Sequence, residues 1–189
     1  IYVASRANGQ DIIVLDGMTG NLLNTITLPA DPVSGGTFPI NSIDATASGN
    51  LVLCNLATNT QATDEVSGDP IGHFKAYHIE LNANGDDVVS ITNIVNWHNV
   101  GDTENPAFRI GDGIAFYGDI ATGSNGYLVM AAAASNYILR WNVTDGAASA
   151  DPVFYKVADV EGTPVNFATA PQVEPVSDNL VIVDGKDLF

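Results

Sequence analysis

An apolar tetrapeptide that recurs behind one kind of turn constrains this chain more than any other feature. Leu51-Val52-Leu53-Cys54 follows Ser48-Gly49-Asn50, Tyr127-Leu128-Val129-Met130 follows Ser124-Asn125-Gly126, and Leu180-Val181-Ile182-Val183 follows Ser177-Asp178-Asn179. The copies start 76 and 53 residues apart, at Leu51, Tyr127 and Leu180. A repeat decides architecture before any single motif does, and uneven spacing places the variation in loops. These are three copies of one supersecondary unit.

The rest of the chain follows the same pattern. Short runs rich in Val, Ile, Tyr and Phe alternate with Gly, Asn, Asp and Pro, and no window of ten or more residues carries a 3.6-residue period. The fold class is therefore all-β. Strands are predicted at 1–6, 11–16 and 22–28, with tight turns at Asn8-Gly9 and 17–21. Four more fall at 40–46, 51–56, 73–80 and 88–97, four at 113–120, 127–133, 137–143 and 153–157, and two at 167–175 and 180–184. The units cover about 1–29, 40–97, 113–157 and 167–189. Small residues in each unit's first strand, such as Ala45, Ala47, Gly113, Ala115, Gly118, Ala168 and Ala170, suit the crowded inner position beside the channel of a β-propeller. Each unit then reads as a four-stranded antiparallel blade, the first entered at its second strand. A closed ring needs at least four blades, so the chain is expected to be a piece of a larger propeller.

Composition narrows the partners. Six Lys and Arg against 22 Asp and Glu leave a net charge of −16, which repels the phosphates of nucleic acids and anionic headgroups. Cys54 is the single cysteine, so no internal disulfide forms. No run approaches the roughly 18 apolar residues of a membrane span. The chain opens at Ile1-Tyr2-Val3, inside a predicted strand, and residues are expected to have been removed ahead of it.

Tyr2-Val3-Ala4-Ser5-Arg6, Ile12-Ile13-Val14-Leu15-Asp16, Thr19-Gly20 and Thr25-Ile26-Thr27-Leu28-Pro29 together resemble the surface-layer, YVTN-type propeller repeat. Ser5 stands where that repeat usually carries Asn. Gly35-Gly36-Thr37-Phe38-Pro39-Ile40-Asn41, Phe74-Lys75-Ala76-Tyr77 and Arg109-Ile110-Gly111-Asp112-Gly113 are similar to segments of propeller-like exported lipoproteins of Bacteroides-type gut bacteria. That resemblance implies a periplasmic or cell-surface location, beside an outer-membrane nutrient importer. It carries no catalytic residues with it.

Chemistry-bearing residues are few. His73 and His78 differ by an odd number of positions in one predicted strand, which places them on opposite faces and makes them poor joint metal ligands. His98 follows Trp97 and precedes Asn99, Asp102, Glu104 and Arg109 in a loop between units, where propeller ligands sit. A Trp near His, Asp and Arg suits a sugar ring and its hydroxyls. Asp86-Asp87 after Asn82-Ala83-Asn84-Gly85 lacks the spacing of a calcium loop and reads as a hairpin turn. The acidic loop 61–69 and the glycosylation-type Asn142-Val143-Thr144 carry no stronger signal. No serine-hydrolase elbow, phosphate loop or zinc-protease motif occurs.

The resulting expectation is a non-enzymatic, exported binding or scaffold module with no cofactor and no metal. Phe38, Asn41, Trp97, His98, Arg109 and Asp112 would hold a partner protein of an outer-membrane assembly, or a glycan. The rival class is a propeller lyase or hydrolase with its active site over the central channel.

Overall fold

The computed structural model describes residues 1–6, 10–69, 71–99, 106–176 and 179–183. The turns expected at Asn8-Gly9 and Ser177-Asp178, together with Asp102, Glu104 and Asp184, lie outside these residues. The described chain is all-β, with no helix and hence none long and apolar enough to cross a membrane.

The strands form four antiparallel sheets, and each of the first two is a simple meander. The first sheet holds β1 (Tyr2–Ser5), β2 (Asp11–Leu15) and β3 (Leu22–Thr27). The second holds β4 (Phe38–Ala45), β5 (Leu51–Leu56), β6 (Phe74–Leu81) and β7 (Val88–Trp97). The third holds β8 (Ala115–Gly118), β9 (Asn125–Ala131) and β10 (Tyr137–Thr144), whose outer edge pairs with both the short β11 (Ala147–Ala148) and β12 (Val153–Lys156). The fourth is the pair β13 (Gln172–Val176) and β14 (Asn179–Val183).

Side-chain alternation turns these sheets into a stack. Along a strand successive side chains face opposite ways, so a central strand can feed two cores. Leu51 and Leu53 of β5 pack with Ile12, Val14 and Ile26 of the first sheet. Val52 and Cys54, on the other face, join Leu128, Met130, Leu139 and Trp141 of the third. In β9 the same alternation sends Leu128 and Met130 towards the second sheet and Val129 and Ala131 towards Val173 and Ile182 of the fourth. Three separate apolar layers result, one between each consecutive pair of sheets.

The first strands of the sheets form a row: β1 contacts β4, β4 contacts β8, and β8 contacts β13. Polar side chains of β4 reach across to the next sheet. Ser42 Oγ accepts from the Ile114 backbone N–H at 3.1 Å, and Asp44 Oδ2 accepts from that of Phe116 at 2.6 Å. The Ala47 N–H donates to the Gly118 carbonyl at 2.8 Å. Such close approach explains the small residues there, since a Cβ on Gly113 would strike the Gln172 side chain. The row also corrects the reading of Tyr2–Ser5 as a second strand. β1 stands against β4 as β4 stands against β8, so it is the first strand of its own sheet. The four sheets do not close into a ring among the described residues.

Candidate functional site

At one end of the second sheet the segments 33–37, 57–62, 71–73 and 106–111 converge. Backbone pairing holds them: Ala57 and Ile110 exchange N–H···O bonds at 3.0 and 2.9 Å, and the Thr60 N–H donates to the Phe108 carbonyl at 3.0 Å. The fully buried Thr60 returns the favour through Oγ1, which accepts from the Phe108 N–H at 3.0 Å, while its carbonyl accepts from the Asn99 N–H at 3.0 Å. Asn55, also fully buried, spans the β5–β6 opening. Its Nδ2 donates to the His73 carbonyl and its Oδ1 accepts from the Lys75 N–H, both at 2.9 Å. Tyr77 fixes the other wall, donating its hydroxyl to the Ser34 carbonyl at 3.0 Å and accepting from the Ser34 N–H at 3.1 Å. Burial pushes that phenol above its ordinary pKa, so it remains a donor.

These segments enclose an open cleft of about 420 Å³, lined chiefly by Gly35, Thr37, Thr58, Asn59, Ile71 and Gly72. Its wall depends on glycine. Gly36 has φ +68°, and a Cβ there would run into the Leu56 carbonyl and the Asn55 side chain. The described lining offers backbone groups, two threonine hydroxyls and one amide, and no titratable side chain. Such a surface can hydrogen-bond a slender polar ligand through backbone, hydroxyl and amide groups.

The six residues expected to bind a ligand do not make one surface. Asn41, Arg109 and Asp112 do come together, around Gly111. Asn41 Nδ2 donates to the Gly111 carbonyl at 2.6 Å, and Arg109 forms a two-pronged ion pair with Asp112, Nε to Oδ2 and Nη2 to Oδ1, each at 2.7 Å. The Asp112 side chain is 8% exposed and that of Arg109 38%. The carboxylate holds the guanidinium above its already high pKa. This pair neutralises itself within the loop that leads into the third sheet, while Asn41 and the Ala57–Ile110 bridge tie that loop to the second; Gly111 (φ +92°) fits because a Cβ would meet the Asn55 carbonyl.

Trp97 was expected as a stacking platform for a sugar, and its place in the fold corrects that reading. The indole is 5% exposed and packs edge-on against Trp141, with ring centres 5.6 Å apart, and near Phe154. A ten-residue β7 carries it back under the third sheet, where its apolar area is worth more than at the surface. Phe38 lies at the start of β4 with the Arg6 guanidinium 4.6 Å above its ring. His98 is half-buried beside His73, ring centres 5.4 Å apart.

His78 lies elsewhere, in a groove of about 370 Å³ between the second and third sheets, with Asn50, Glu80, Thr92 and Thr122. Burial lowers its pKa below the ordinary histidine range, against the pull of Glu80 and Asp119. Cys54 is completely buried and its thiol pKa is raised by that burial. Among the described residues no group of three or more His, Cys, Asp or Glu converges as a metal site. The 82–87 segment is a hairpin turn closed by Asn82 N–H to Asp87 O at 2.9 Å, and Asp64 caps its own loop through the Val66 and Ser67 N–H groups.

Sequence reasoning passed over the residues that build the cleft: Asn55, Thr60, Gly36 and Gly72. The available signal was the pair of short polar and glycine clusters, Gly35-Gly36-Thr37 and Thr58-Asn59-Thr60, flanking one unit.

No protein-family model, curated protein or solved structure matches the chain.

Proposed function

We propose that this chain is a run of β-propeller blades acting as a non-catalytic binding module, with a glycan or an extended segment of a partner protein held in the cleft at the loop end of the second sheet. The observation carrying this reading is the lining of that cleft, a ligand-sized run of hydrogen-bonding groups from glycine backbone, Thr37, Thr58 and Asn59. The stack of four sheets with their first strands in a row supports the blade reading. The acidic charge of −16 supports work away from nucleic acids and anionic membranes, and the single cysteine leaves stability independent of disulfides. Both suit a protein exported to the periplasm or cell surface, in an accessory role beside an outer-membrane nutrient importer.

The test is a screen of immobilised oligosaccharides and peptides with the purified protein and with Thr58→Trp, which fills the cleft from an exposed position. Retained binding by Thr58→Trp, release of cleaved products, or no binding by the unsubstituted protein overturns the reading. Binding that Thr58→Trp abolishes, with the ligand recovered intact, supports it.

A further inference from the structure

The His73–His98 pair has a feature that the binding reading does not use. Each ring spends one nitrogen on an oxygen that can only accept. His73 Nδ1 lies 2.8 Å from Asn96 Oδ1, and His98 Nε2 lies 3.3 Å from the Ala62 carbonyl. Each of those nitrogens is therefore the N–H of its ring. In the neutral imidazole the other nitrogen then keeps its lone pair: Nε2 in His73 and Nδ1 in His98. His98 Nδ1 is shut off from solvent and has no hydrogen-bond partner. A buried acceptor left unpaired is destabilising and calls for something to accept the lone pair.

An N–H donated to a carbonyl or amide oxygen is the arrangement by which proteins fix the tautomer and orientation of metal-bound histidines. The spacing agrees. With Zn–N bonds of about 2.0–2.1 Å and about 1.1 Å more to the ring centre, two imidazoles at a tetrahedral angle place their centres about 5 Å apart. The observed separation is 5.4 Å, with the planes inclined at 39°.

We propose that His73 and His98 form a two-imidazole site for a late first-row divalent ion, bound through His73 Nε2 and His98 Nδ1. Imidazole ligands select the zinc and copper end of that series over calcium or magnesium, which prefer oxygen. The site stands at the edge of the cleft, since Ala62 and Gly72 line it. The proposal does not depend on what the cleft binds.

The probe is Cu²⁺ alone. One equivalent added to the protein should give an electron paramagnetic resonance spectrum with nitrogen hyperfine structure. His73→Gln and His98→Gln should each weaken binding by about tenfold or more, and His78→Gln should leave it unchanged. The 22 acidic residues supply oxygen-only sites, so nitrogen coupling separates the two cases. A spectrum with oxygen ligands only, or nitrogen coupling that survives in both variants, overturns the proposal. Zn²⁺ titration followed by histidine ring carbon–proton NMR of the unsubstituted protein makes the same decision without a mutation. His73 and His98 signals should shift together at one equivalent, and selective movement of His78 instead would refute the assignment.

Discussion

β5 and β14 carry nearly the same residues, Leu-Val-Leu-Cys and Leu-Val-Ile-Val, and both are second strands of their sheets. Every residue of β5 is buried, whereas in β14 only Ile182 is. The difference lies in the neighbours. β5 has a sheet on each side, so both sets of alternating side chains find apolar partners. Among the described residues β14 packs against the third sheet alone, and Val183 on its other face is 44% exposed. Strand propensity and apolar content do not make a core; a second covering layer does.

Thiol chemistry offers the sharpest contrast. Cys54 should be inert to a disulfide reagent in the folded protein, because burial holds the thiol protonated and out of reach. In Val183→Cys, the equivalent position on β14, the new thiol should react at once. Comparable rates for the two would show that β5 opens as readily as an edge strand, and the comparison would break.

Truncation of matched leucines comes next. Leu51→Ala removes a side chain that is 1% exposed between two sheets and should cost about 2–5 kcal/mol in urea denaturation. Leu180→Ala, at the half-buried equivalent, should cost about 1 kcal/mol or less. Equal losses would mean that the fourth sheet carries as much of the fold as the second.

Asn55→Ala tests the polar frame of β5. The substitution leaves the His73 carbonyl and the Lys75 N–H without their partner, and should destabilise by about 1–3 kcal/mol while loosening the cleft. Unchanged stability would mean that water replaces the amide.

The smallest effect is that of His78, whose lowered pKa makes stability depend on pH. Burial favours the neutral ring in the folded protein, so the unfolded chain binds the proton more tightly. The contribution is present above the ordinary histidine value of 6.5 and is lost as the pH falls below it towards the lowered folded value. His78→Gln should flatten the stability profile between neutral pH and about pH 5, above the range where carboxylates titrate. A slope that persists unchanged in His78→Gln would place its origin elsewhere.

Much of the fold was legible beforehand. Strands expected at 40–46, 51–56, 73–80 and 88–97 appear as β4 to β7 with shifts of one or two residues, because Gly, Asn and Asp turns terminate extended runs by local chemistry. Of the small residues singled out beforehand, Ala115 and Gly118 of β8 lie in closely packed backbone, where a Cβ on Gly118 would strike the Asn125 carbonyl, whereas Ala45 of β4 is exposed. The candidate site was far less readable. Trp97 next to His98 looked like a surface pair, yet one step along the chain turns a side chain to the opposite face, and Trp97 went to the core. Asn41, Arg109 and Asp112 carry groups suited to a ligand, but spend them on Gly111 and on one another.

The sequence by itself determined which residues extend, where the chain turns, and that three of its units share one pattern. Those properties depend on backbone preference and on neighbours within a few positions. Only the tertiary structure decided which strands are covered on both faces and which polar groups are consumed as joints between sheets. Such outcomes depend on contacts between distant segments, and no local pattern encodes which distant atoms arrive.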